Sequence, residues 1–140
     1  VLADPTAARQ VMTNIMLNAV QAMEFSERKE LSVRATKKDH NVQICFQDSG
    51  PGLPKGKEAE LFDLFYSTKK GGSGFGLAIA QRIMEAHRGR ITAQTIRTRN
   101  DEAKGALFTI TFPMPTKHHS TTTVKKNQLV DSNYEEGFIG

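Results

Sequence analysis

The chain has 140 residues, 38% hydrophobic and 24% charged, which is enough for one domain with a real core and ordinary for a globular protein. No run reaches the roughly 18 apolar residues of a membrane span. The opening residues lack a signal-peptide pattern, and the single Cys45 excludes an internal disulfide or a cysteine metal cluster, so a reducing cytoplasm is expected. The net charge of +4 falls in residues 1–116, since three Lys beyond them are balanced by Asp131, Glu135 and Glu136. This suits a polyphosphate ligand, whereas a nucleic-acid partner would call for a basic run interleaved with aromatics, which the chain lacks.

The opening "VLAD" reads as the end of a strand, so the chain is expected to start partway into a larger protein. "DPTAARQ" predicts a helix start, with Asp4 as cap and Pro5 at the first position, and the helix is expected to run to about Glu24. "ELSVRATKK" and "NVQICFQD" alternate with period two around Lys38–Asn41 and predict a hairpin. Leu31, Val33 and Ala35 share one face of the first strand, Val42, Ile44 and Phe46 share one face of the second, and Cys45 is a strand residue. "SGPGLP" breaks the second strand, and "KEAELFDLFY" resumes a short helical pattern. A glycine-rich segment, Gly71 to Gly76, leads into a second helix. There Leu77, Ala80, Ile83, Met84 and His87 recur at helical spacing, with Gly89 as the expected stop. "RITAQTIRT" and "GALFTITFP" predict a closing strand pair. From Thr116 the chain turns polar and loses periodicity, so residues 116–140 read as a flexible tail in which His118 and His119 are solvated.

Three constellations carry chemistry. In "NIMLNAVQAM", Asn14, Asn18 and Gln21 fall within an arc of about 60° on an otherwise apolar half-helix that is expected to be largely buried. Unpartnered buried amides cost about 1–3 kcal/mol each. The stripe therefore either bonds neighbouring backbone or faces a polar cleft, where an Asn carbonyl is a hard donor suited to Mg²⁺. In "DSGPG", Asp48 ends a strand directly before Gly50 and Gly52. That is either a plain turn or a carboxylate beside an opening where a flat ligand with an exocyclic amine can approach. In "GGSGFGLAIA", glycines precede a helix whose free N–H groups suit phosphate, and a hinge is the competing reading. The spacing matches neither a Walker loop nor a dinucleotide fingerprint.

In this order the three constellations resemble the ATP-binding catalytic domain of bacterial sensor histidine kinases, within the Bergerat-fold ATPases. "NIMLNAVQAM" resembles the N box, "DSGPG" the G1 box, "LFDLFYSTK" the F box, "GGSGFGLAIA" the G2 box and "GALFTITFP" the closing strand. The wording of "NAVQAM", "FYSTK" and "EAH" is most similar to the nitrogen-regulation type. The resemblance implies a two-layer α/β sandwich, with a mixed, mostly antiparallel sheet covered on one face by helices. Residues 1–115 would form an N-terminally truncated catalytic domain, and ATP and Mg²⁺ would be its cofactors. It makes Asn18 the metal ligand, with Asn14 assisting near the phosphates and Gln21 on the same stripe. Asp48 would recognise the adenine amine, with Gly50 and Gly52 shaping the base pocket. Residues 54–74 would form a lid anchored by Phe62 and Phe65. Gly74 and Gly76 would let backbone amides approach the phosphates, Gly72, Phe75 and Leu77 would bind the nucleotide with them, and Lys69 and Lys70 would neutralise the phosphates.

Departures matter too. Gln21 and Ser67 stand where related kinases often carry basic residues, which shifts phosphate neutralisation toward Lys69. Ala106 replaces a common hydroxyl. ATP-hydrolysing relatives carry Glu at the position of Asn14, and Asn cannot act as a general base. The implied reaction is therefore transfer of the γ-phosphate to a histidine on a separate dimerisation domain, since His40, His87, His118 and His119 lack a phosphoacceptor setting. The implied partners are that domain and a response regulator. The isolated domain would be monomeric, and the whole kinase a homodimer with this domain in the cytoplasm, whether or not its sensor part is membrane-bound. An anti-sigma-factor-type serine kinase of the same fold and a non-catalytic nucleotide-binding module are the alternatives.

Overall fold

The computed structural model describes residues 4–63 and 76–115. Helix α1 spans Pro5–Ala22. Its start is fixed as the sequence implies, with the Asp4 carboxylate accepting the Thr6 N–H at 3.0 Å and Pro5 in the first turn. Strands β1 (Leu31–Lys38) and β2 (Asn41–Asp48) form the expected hairpin, closed by Asp39 at φ 54°. Of the helical pattern after "SGPGLP", the described residues form one 3₁₀ turn at Glu58–Glu60, with Leu61 buried and Phe62 packed on the core. Helix α2 (Gly76–Ala86), β3 (Arg90–Arg97) and β4 (Ala103–Pro113) complete the described elements. The strand end expected in "VLAD" and the tail 116–140 lie outside the described residues.

The sheet order is β1-β2-β4-β3, and every pairing among the described residues is antiparallel. Register aligns apolar side chains in rows across the helix-covered face. One row is Phe46, Phe108 and Ala93, and the next is Ile44, Ile110 and Ile91. Against them lie Val11 and Ile15 of α1 and Ala80 and Met84 of α2. Removing one such phenylalanine would cost about 3–5 kcal/mol, so this row holds the two layers together.

The half-helix after Ile15 is not buried all round, because Met16, Leu17 and Val20 are exposed, the last two at 53% and 59%. Only the Val11, Ile15, Ala19 line faces the sheet. The residue that ends α2 in a left-handed conformation is Arg88 (φ 56°) rather than Gly89. Gly89 follows with its N–H on the Met84 carbonyl at 2.7 Å, where a Cβ would meet the Thr111 carbonyl and the Met84 side chain. That glycine serves space, not φ.

His87 is committed to structure at the end of α2. Its Nδ1 shares a hydrogen 2.7 Å from the Ile83 carbonyl, and Nε2 accepts the Asp4 N–H at 3.3 Å. The nitrogen that accepts must be unprotonated, so the proton sits on Nδ1 and the ring bridges α2 to the cap of α1. Edge strand β1 carries Arg34, Lys37 and Lys38 beside an exposed Val33, and these charges oppose edge-to-edge pairing. Among the described residues no helix is long and apolar enough to cross a membrane.

Candidate nucleotide site

The carboxylate of Asp48, 3% exposed, is the one buried charged side chain among the described residues. Its Oδ1 accepts two backbone N–H groups, from Gly50 at 2.9 Å and from Ala106 at 3.1 Å. Its Oδ2 has no hydrogen-bond partner among the described residues. A buried carboxylate oxygen without a donor is costly, so the site calls for a donor brought by a ligand. The two N–H bonds also fix which oxygen is left to receive it.

The backbone around Asp48 is close-packed on purpose. A Cβ on Gly50 would sit 3.1 Å from Asp48 Oδ1 and 3.3 Å from the Ala22 carbonyl, so the turn lies directly on the end of α1. Gly105, at φ 154°, brings β4 so near β2 that a Cβ would collide with the Asp48 carbonyl. The β3–β4 register shifts at Ile96/Arg97, beside Gly105, which is where bulges re-aim strands near sites. Ser49 ties the turn to the loop after α1, its hydroxyl donating to the Arg28 carbonyl at 2.8 Å and accepting the Glu30 N–H at 2.9 Å. In that loop a hydrogen bond from the Arg28 guanidinium lowers the Glu30 carboxyl below its usual range. The pair is exposed and screened, and it adds little to stability.

The other end of the site is built by α1 and α2. Asn14 Nδ2 donates to the Gly76 carbonyl at 3.1 Å, which pins the first residue of α2 against the middle of α1. One of the two readings of the stripe therefore holds for Asn14, which bonds backbone. Asn18, one turn on, is half-buried and makes no hydrogen bond to a described residue, so its carbonyl is open to a ligand. Gln21 is exposed, and Leu77 is half-buried against the core. From Asn14 to Ala22 the helix rises about 12 Å. A ligand lying along the stripe can thus reach from the Asp48 turn to the α2 N-terminus, where free N–H groups and the helix dipole favour anions. Phe65, Lys69, Lys70, Gly72, Gly74 and Phe75 lie outside the described residues. Among the described residues no group of three His, Cys, Asp or Glu side chains could hold a metal.

Two residues that shape the site went unread in the sequence, Gly105 and Thr95. Gly105 is visible in "KGALF" as a glycine among the first residues of β4, but neither its role nor that of Thr95 has a local signal, since both matter only through register. A shallow recess among Asn41, Arg88, Arg90 and Thr111 lies at the opposite end of β2 and β4 and shares no residue with the site.

The profile of the family described as histidine kinase-, DNA gyrase B-, and HSP90-like ATPase matches residues 3–116. Sensor histidine kinase TmoS of Ectopseudomonas mendocina is 34% identical over 118 residues, covering 81% of this chain and 12% of its own length. Sensor protein FixL of Bradyrhizobium diazoefficiens is 38% identical over 114 residues, 81% of this chain and 22% of its own. The chain thus spans less than a quarter of either relative. The catalytic domain of histidine kinase ThkA superposes with a TM-score of 0.66 at 29% identity, over 79% of this chain and 68% of that one.

Proposed function

Because the chain belongs to the histidine kinase-, DNA gyrase B-, and HSP90-like ATPase family, we propose that residues 1–115 bind MgATP and present its γ-phosphate to a histidine on a separate dimerisation domain. The observation that carries this reading is Asp48, buried, with one carboxylate oxygen held by two backbone N–H groups and the other left for a ligand donor. An exocyclic amine of adenine supplies that donor, whereas guanine would set a carbonyl against it. Asn14 acts by holding α2 in place and cannot take a proton from water. A site without a base suits phosphoryl transfer, which needs positioning and charge neutralisation. The acceptor is a neutral imidazole, whose nitrogen forms the new N–P bond as the P–O bond to ADP breaks.

Asn18 fits a Mg²⁺ ligand, being half-buried with its amide uncommitted, and the metal when bound supplies charge neutralisation at the phosphates. Lys69 and Lys70 are proposed to add positive charge there. Exposed Leu17 and Val20 flank the Asn stripe on α1, which supports an acceptor domain that covers this flank when it reaches the phosphate. We place the chain with the nitrogen-regulation type on the wording of its boxes, with a response regulator as the onward acceptor and the cytoplasm as its compartment.

Asn18→Ala should weaken nucleotide binding about tenfold, near 1.4 kcal/mol, in Mg²⁺ and hardly at all in EDTA. Calorimetry under both conditions decides this, and an equal loss in each would remove Asn18 from the metal.

A further inference from the structure

The loop after Asp48 reads Ser49-Gly50-Pro51-Gly52-Leu53-Pro54. Two of these residues are prolines, so the loop has few main-chain donors with which to hold its shape. Ser49 N–H goes to the Glu30 carbonyl and Gly50 N–H to the Asp48 carboxylate. Beyond Pro51 only Gly52 and Leu53 carry an N–H before the next proline. Of these, Leu53 N–H alone bonds the protein among the described residues, at 3.0 Å to the Thr95 hydroxyl. The contact is enforced from the other side as well. Gly52 stands at φ 83°, and a Cβ on it would lie 2.7 Å from Thr95 Cγ2, so the loop rests on the Thr95 side chain. Thr95 in turn pairs with Ala106, whose N–H holds Asp48 Oδ1.

We infer that Thr95 is a positioning residue for nucleotide binding, its hydroxyl fixing the second half of the glycine loop in register with the Asp48 carboxylate. The carboxylate and the loop are both referenced to one rung of the β3–β4 ladder, Thr95–Ala106, so the two walls of the pocket keep their spacing. This rests on the reading of Asp48 as the adenine acceptor. Without the hydroxyl, the Leu53 N–H is best served by water, which it reaches when the loop lifts. The free protein loses little by that. Nucleotide binding must then bring the loop back and strip that water, so the cost falls on the complex.

The test is calorimetry of MgADP with the 140-residue chain and four variants. Thr95→Val keeps the shape and removes the acceptor, and it should bind about tenfold more weakly. Thr95→Ser restores the acceptor and should bind within about twofold of the unmodified chain. Thr98→Val removes a like bond to the Glu102 N–H (3.2 Å) in the neighbouring turn and should leave affinity unchanged, which separates positioning from a general loss of stability. Asp48→Asn should abolish binding. If Asp48→Asn abolishes binding while Thr95→Val binds normally, or Val and Ser are equally weak, the inference about the hydroxyl is overturned. Undiminished binding by Asp48→Asn overturns the adenine reading, and the inference with it.

Discussion

Asp48→Asn is expected to lower affinity for MgATP at least about a hundredfold, near 2.7 kcal/mol, without unfolding the domain. The substitution is isosteric, and the Asn carbonyl oxygen can keep both bonds now made by Oδ1, from Gly50 and Ala106. What replaces Oδ2 is an NH₂ group. A donor then faces the adenine amine, itself a donor, and each is left unsatisfied in a dry site, at about 1–3 kcal/mol apiece. Rotating the amide does not help, because the NH₂ would then oppose the two backbone N–H groups. The free protein escapes this penalty. It also loses a buried charge that lacks a full set of partners, so its melting temperature should equal or exceed that of the unmodified chain. Stability held or gained while binding collapses marks a residue kept for its ligand. Calorimetry beside a thermal melt checks both halves, and parallel loss of folding and binding would make Asp48 a structural residue.

Gly105→Ala should destabilise the domain by about 3 kcal/mol or more, lowering the melting temperature by at least about 10 °C for a domain of this size. The added Cβ would run into the Asp48 carbonyl, which is backbone and cannot swing aside. Relief requires β4 to part from β2 just where its other ladder, with β3, already shifts at Ile96/Arg97. The neighbouring Ala106 N–H would move with it, so nucleotide binding should fall too. Differential scanning calorimetry gives the result directly, and a melt unchanged within 2 °C or so would contradict the close approach of the two strands.

What could be read from the sequence was set by local chemistry. Asp4 and Pro5 announce the start of α1 because capping involves only residues a few positions apart, and the structure shows the Asp4–Thr6 bond itself. Period-two alternation placed β1 and β2, since the pleat alone dictates it. Asp48 could be singled out by its place between a strand and two glycines. Which of its oxygens is free depends on Ala106, 58 residues away, and no local pattern reports that. The roles of Thr95 and Gly105 are hidden for the same reason, as their importance exists only once β3, β4 and the Asp48 turn are in register. The exposure of Leu17 and Val20 escaped because an apolar run looks buried until the sheet shows which single line of the helix it accepts. The end of α2 misled more mildly. A glycine near a helix terminus suggests a left-handed cap, and here Arg88 takes that conformation while Gly89 makes room for Thr111.

The proposed reaction is transfer of the γ-phosphate of MgATP to histidine, and neither hydrolysis nor transfer to serine. The most direct measurement incubates the chain with Mg²⁺, γ-labelled ATP and the dimerisation domain proposed to carry the acceptor histidine, then tests the label for acid and alkali stability. Label is expected on the added domain, lost in acid and kept in alkali as phosphohistidine requires, with none when Asp48→Asn replaces the unmodified chain. Acid-stable phosphoserine on a partner, or free phosphate released equally with and without the added domain, would contradict it.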